Sequence, residues 1–322
     1  MPMFRRLPAL PAALLALVVP VAAASEAFVF PAFNQAALAR HAPLPAPEGD
    51  AADGGRLTLD WTSESHFEQA GDEFLLLDGE ILRLGLQQRW TWAGMQWSAE
   101  LPLLVTGGGV LDSMIENWHD WFGLPNGGRD QIPRDQYRYQ YQRGGQPPGE
   151  TVFDIGGSDA AIGDIRLGLA RCADGGGCWR ALAQLPTGDA DRLLGGGAGL
   201  SAWYERAYAL GGTQRWSGAF AAGAGAVRGD GPVEDRQKTL VPFGWASLGY
   251  ALLPSLQAGA QLYAHGPLYD DSDLDAFTRS GLQVVFGFRY RSPGGIWWNL
   301  AVQEDPITKS SPDFVIHLAS TW

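Results

Sequence analysis

From Arg56 to the last residue the chain runs in segments of about ten residues in which apolar and polar side chains alternate. A period of two belongs to β-strands, and ten residues is about what a tilted strand needs to cross a bilayer. In the stretch 81–92, Leu82, Leu84, Leu86, Trp90 and Trp92 share one face, while Arg83, Gly85, Gln87 and Arg89 share the other. The stretch 280–291 divides likewise, with Leu282, Val284, Phe286, Phe288 and Tyr290 against Gln283, Gly287, Arg289 and Arg291. One face suits lipid and the other water.

Twelve such segments are legible: 56–67, 80–92, 95–106, 163–171, 179–187, 197–210, 214–227, 241–253, 255–265, 280–291, 295–304 and 313–322. Alternation alone also fits a soluble sandwich. The connections decide between the two. Every second one is short, as at Ala93-Gly94, Cys172 to Cys178, Gly211 to Thr213, Pro254 and Pro293-Gly294, and the others are longer and acidic. That sorting belongs to outer-membrane barrels, and aromatic residues collect near strand ends where a bilayer has its headgroups. The expected fold is all-β, a transmembrane antiparallel up-and-down barrel of about twelve strands. The 43 glycines agree, since barrels use glycine at tight turns and crowded interior positions.

Met1 to Ala24 reads as a Sec-type signal peptide: Arg5-Arg6, an apolar run from Leu7 to about Val19, and Ala22-Ala23-Ala24 before Ser25. Residues 25–55 are rich in Ala and Pro without a period of two, and read as an extended periplasmic leader, insertion into the lumen being left open. Residues 56–322 form the barrel. The last strand sets Phe314, Ile316, Leu318 and Trp322 on one side and ends on an aromatic residue. This resembles the C-terminal signal read by the barrel assembly machinery. The expected destination is the outer membrane of a Gram-negative cell, with lipid and lipopolysaccharide around the wall. A net charge of −12 argues against nucleic acid as a partner.

The blocks Glu116-Asn117-Trp118-His119-Asp120-Trp121-Phe122-Gly123-Leu124-Pro125 and Gly127-Gly128-Arg129 resemble a bacterial outer-membrane family, domain of unknown function 3187. Ile162 to Leu169 and Leu185 to Asp189 are similar to it too, and also to aromatic-degradation outer-membrane channels. The resemblance implies a barrel and carries no activity.

The connection at about 107–161 is far longer than the others, and loops of that length usually have a function. It holds Glu116, His119, Asp120, Arg129, Asp130 and Arg134, the candidates for ligand binding or gating. Arg129 suits a carboxylate or phosphate, and His119 beside an acid suits a base. The same charges also suit mutual pairing in a lid or plug. No Gly-x-Ser-x-Gly elbow accompanies His119, so no catalytic set is assigned. The interior parity takes Asp60, Glu64, Arg83, Arg89, Glu100, Arg166, Arg289 and Arg291, which fits either a packed network or a charge-lined passage.

Cys172 and Cys178 are the only cysteines and flank a glycine turn in an oxidising compartment, so a disulfide is expected. Asp271, Asp273 and Asp275 imitate a calcium loop without its Gly and Glu, and no cofactor or metal is expected. The leading function is a channel or transporter for small solutes, apolar or aromatic ones included, gated by the long loop. An enzyme acting on lipid or lipopolysaccharide and a non-conducting structural barrel are the alternatives.

Overall fold

A computed structural model describes residues 27–49, 53–123, 132–144, 149–173, 176–211, 215–306 and 310–322, so the expected signal peptide lies outside the described residues. Fifteen strands form one antiparallel sheet: β1 Gly54–Ala70, β2 Glu73–Trp92, β3 Met95–Gly107, β4 Arg138–Arg143, β5 Glu150–Gly156, β6 Asp159–Ile162, β7 Ile165–Cys172, β8 Gly177–Leu185, β9 Ala198–Leu210, β10 Trp216–Arg228, β11 Leu240–Leu253, β12 Leu256–His265, β13 Gly281–Arg291, β14 Trp297–Glu304 and β15 Phe314–Thr321. β15 pairs with β1, Asp60 opposite His317, and this closes the ring. β6 and β7 both pair with β3 and count as one wall strand interrupted at Gly163-Asp164. The β4 to β5 hairpin hangs on the upper half of β2, outside the ring. The wall therefore has twelve strands.

Alternation sets the two surfaces. Leu82, Leu86, Trp90, Leu248, Leu262, Phe288 and Leu300 are exposed on the outer wall, whereas Asp60, Arg83, Arg89, Gln261, Gln283 and His317 are buried inside. No helix among the described residues is long and apolar enough to cross a membrane; the strands cross it. The short turns cluster at one end, as the loop sorting requires. One connection differs from expectation. The stretch 68–79 is not a loop: β1 and β2 run on to a turn at Gly71-Asp72, Ala70 pairing with Glu73.

Cys172 and Cys178 face each other in the β7 to β8 hairpin and are bridged, their Cα atoms 4.0 Å apart. The loop so closed is short, and a bridge over it contributes about 2 kcal/mol. Thiol titration of denatured, unreduced protein should find no reactive thiol, and reduction should leave the barrel folded. Two reactive thiols per chain would count against the bridge.

Candidate functional site: a plugged lumen

Residues 27–49 do not lie outside the barrel as a periplasmic leader. They enter the lumen at the short-turn end, reach an apex at a 3-10 turn, Ala37–Ala39, and return, so that Gly49 ends beside Val29 and Ala27. Phe28, Phe30, Phe33, Leu38, Ala42 and Leu44 are all buried. The sequence explains both the depth and the irregularity of this segment. Its apolar side chains leave water, while Pro31, Pro43, Pro45 and Pro47 cannot donate to a ladder and keep it from pairing as a strand.

A buried backbone without a ladder must find its partners elsewhere, and here the inner wall supplies them. Gln261 accepts from the Phe30 N–H at 2.9 Å and donates to its carbonyl at 3.0 Å, taking the place of a neighbouring strand. Tyr263 donates to Pro45 O at 3.0 Å, Arg166 to Leu44 O at 3.1 Å, Tyr269 to Leu38 O at 2.9 Å and Ser247 to Phe28 O. Glu64 receives the Ala37 N–H at 2.9 Å, the Tyr139 hydroxyl at 2.7 Å and Arg40 at 3.5 Å. The Phe28 ring rests on Gly249 and Gly259, where an added Cβ would stand 2.2 and 2.7 Å from it. Four voids left between segment and wall hold about 10 to 50 Å³ each, room for a water molecule or two.

The expected interior charges mostly pair in this packing. Asp60 bonds His317 and lies 3.4 Å from Arg83, which also pairs with half-buried Glu100. Arg166 and Arg83 lie over the Phe33 ring, at 4.4 and 5.2 Å. Arg289 donates to Ala27 O at 2.5 Å, whereas Arg291 is exposed at the rim against Trp297. Under the returning limb the wall carries an aromatic track: Trp245 stacks parallel to Phe243 at 6.2 Å and to Tyr263 at 5.9 Å, with Trp203 edge-on at 6.1 Å.

The 107–161 connection does two separate things. After β3, helix α1 (Asp112–Phe122) lies across the outside of the wall, so it cannot gate the lumen. The Glu80 carboxylate, on the outer face, takes the Leu111 N–H before the first turn and the Trp61 indole N–H at 2.6 Å. Leu111 and Ile115 pack on Phe314, with Trp61, Val302 and Ile316 beside them, and Trp118 stacks on Phe286 at 6.4 Å. Gly123 ends the helix with φ 66°, a left-handed turn that costs glycine nothing. His119 is 3% exposed, while Asp120 faces out. Glu116 pairs with Arg134, Nε to Oε1 at 3.0 Å. Arg129 and Asp130 lie outside the described residues.

The second half of the connection does cover the mouth. In the β4 to β5 hairpin, Tyr139 and Tyr141 point inward and donate to Glu64 and Glu73. Glu73 also receives Arg236, Ser272 and the Asp273 N–H, tying the hairpin to the neighbouring loops. Asp275, of the acidic run, pairs with Arg279 at 2.8 Å. At the β6 to β7 interruption the Asp164 carboxylate accepts from Gly188 N, Gly196 N, Gly197 N and Gln184 at 2.8 to 3.0 Å, folding residues 186–197 against the wall.

A family profile described as protein of unknown function (DUF3187) matches residues 10–322. The chain belongs to the DUF3187 family. No curated protein matches it. Among solved structures it is similar to the COG4313 outer membrane channel from Pseudomonas putida F1, at TM-score 0.51 and 11% identity over 84% of this chain and 96% of that one. The β domain of the Bordetella autotransporter BrkA is looser, at TM-score 0.47 and 14% identity, covering 84% and 99%. The toluene transporter TodX of P. putida stands at 0.37 and 12%, covering 84% and 89%. At 11% identity the likeness to the COG4313 channel speaks for the fold alone, an outer-membrane type of barrel.

Sequence reasoning leaves insertion of this segment into the lumen open and does not single out Arg40, Glu48, Arg56, Arg180 or Glu205. The one available signal was Phe28-Val29-Phe30 with Phe33, four apolar residues with no strand pattern in a leader that should be wet.

Proposed function

We propose that this chain is an outer-membrane channel for small solutes, apolar or aromatic ones included, held closed by its own N-terminal segment. The carrying observation is that the lumen is filled by a segment held by apolar packing, side-chain hydrogen bonds and ion pairs, with no main-chain ladder and no disulfide between its described residues and the wall. Such a closure is reversible, since each bond released to water costs little net. The aromatic track supports the solute class, because departure of the returning limb would bare Trp203, Phe243, Trp245 and Tyr263 as an apolar path. The COG4313 protein, described as a channel, supports the same reading by shape. The lid of β4 and β5 serves as a second closure at the outer mouth, and α1 as an interfacial helix with Trp121, 80% exposed, at the headgroups.

In this reading Sec-dependent export delivers the chain, the assembly machinery reads its last strand, and the short turns face the periplasm. The enzyme alternative loses its base, because His119 has no open side. Planar-bilayer recordings of the purified chain should show long closed periods broken by openings, and proteoliposomes should take up benzyl alcohol faster than lipid alone. A barrel that neither opens under any voltage nor speeds uptake would overturn the reading.

A further inference from the structure

The short-turn mouth holds a concentration of positive charge that the acidic composition of the chain does not foreshadow. Arg56, Arg89, Arg180 and Arg289 are all buried there, and two buried or half-buried acids face them, Glu48 of the N-terminal segment and Glu205 of β9. Asp53, at the rim, is exposed and bonded to Thr91. Glu205 is taken by Arg180 at 2.8 Å and by the Gly49 N–H at 2.9 Å. Glu48 accepts from Arg56 at 2.8 Å and Gln87 at 2.9 Å, and stands 4.0 Å from Arg89. Burial would raise the Glu48 carboxyl, but Arg56, Arg89 and Arg180 outweigh it and hold it below the usual range.

Arg89 is the group left over. Its side chain is 4% exposed, its contact with Glu48 is long, and its buried Nε has no partner. Arg89 and Glu48 together line two voids, of about 50 Å³ toward Arg56, Arg289 and Trp297, and about 30 Å³ toward Arg166, Arg180 and Trp203. A buried guanidinium without full pairing is costly, and its natural complement is a planar carboxylate taken in two parallel hydrogen bonds. The second void opens on Trp203, where the aromatic track begins.

We infer that this mouth is a binding site for small aromatic monocarboxylates, and that Glu48 is a built-in stand-in for the carboxylate of the solute. The site rests on the channel reading above and narrows its solutes. An incoming carboxylate takes Arg89 and Arg56, its ring lies toward Trp203, and Glu48 is released. Because Glu48 and Gly49 anchor the returning limb, their release loosens the segment, so the solute opens its own path. No covalent step is involved.

The test is uptake by proteoliposomes of benzoate, benzyl alcohol and inorganic phosphate, for the native chain, Glu48→Gln, Arg89→Gln and Arg89→Lys. Benzoate should enter faster than phosphate. Arg89→Gln should slow benzoate about tenfold relative to benzyl alcohol, the loss of one charge-assisted contact. Arg89→Lys should restore part of the rate, as a point charge without the fork. Glu48→Gln should raise uptake of both organic solutes, because the segment is loosened without an anion. Equal entry of all three solutes with no effect of Arg89→Gln would overturn the carboxylate site while leaving a channel. Failure of every solute in every variant would count against the channel itself. Phosphate entering as fast as benzoate and slowed equally by Arg89→Gln would mean a general anion site, and the aromatic assignment would be wrong.

Discussion

A chain lacking residues 28–47 should form a folded barrel that conducts steadily, in contrast to the mostly closed behaviour proposed for the intact protein. The wall is continuous through main-chain pairing from β1 round to β15, and none of those ladder bonds uses the N-terminal segment. What the deletion removes is the packing of Phe28, Phe30, Phe33 and Leu44 and the side-chain bonds to their carbonyls. Water then replaces the lost partners of Gln261, Tyr263, Arg166 and Ser247, which are polar and sit in a lumen that a small barrel otherwise fills with side chains. Gly249→Val reaches the same end with one residue, because its side chain would occupy the space of the Phe28 ring. Heat-modifiable migration on gels checks that either variant is folded, and bilayer current reads the opening. A folded but silent deletion variant would mean that the β4 to β5 hairpin, rather than the N-terminal segment, keeps the barrel shut.

Replacing Glu64 by Ala should be the most damaging single change in the interior, destabilising the closed state by about 3–5 kcal/mol. That carboxylate is the meeting point of three parts of the molecule: the apex of the segment through Ala37, the Arg40 guanidinium, and the lid through Tyr139. Without it Arg40 keeps only carbonyl partners, Gln35 O at 3.1 Å and Leu193 O at 2.9 Å, as a buried uncompensated cation. Glu64→Gln should be milder, since the amide oxygen still accepts from Ala37 or Tyr139. Chemical denaturation and open-state occupancy are the two readouts. Glu116→Ala, which breaks the pair with exposed Arg134 on the outer helix, should move neither by much. Equal effects of the two substitutions would remove Glu64 from the role given to it.

The wall could be read from sequence because each strand separates two solvents, lipid outside and polar groups inside, and so writes its geometry into every second residue. Where that contrast stops, legibility stops. The extension 68–79 was read as a loop because Glu68, Gln69, Asp72, Glu73 and Asp78 are polar. In this extension the inner face mixes carboxylates with buried Leu75 and Leu77: Glu68 takes the Asp275 and Ala276 N–H groups, at 2.9 and 3.2 Å, and Glu73 takes Ser272 at 2.8 Å. The N-terminal segment left no pattern, because its partners are separated from it by as much as 276 residues and its conformation is set by the barrel rather than by its own period. For the long connection, sequence expects a lid, plug or site at the barrel, and the structure sets its helical half against the outer wall. Leu111, Ile115 and Trp118 form a helical stripe, but nothing local tells a helix docked outside a barrel from one inserted in it; Glu80 and Phe314 decide that.

The position of α1 has a consequence for the order of events in folding. The surface it rests on is assembled from both ends of the chain, Trp61 of β1 beside Phe286, Val302, Phe314 and Ile316 of the last three strands. That surface does not exist until β15 has met β1. The helix precedes most of that seat in the chain, so it cannot dock fully before β13, β14 and β15 are in place. Phe314 and Ile316 also belong to the face expected to be read during assembly, and in the finished barrel Phe314 is 3% exposed. The helix spans the closing joint from outside as Asp60 and His317 span it from within.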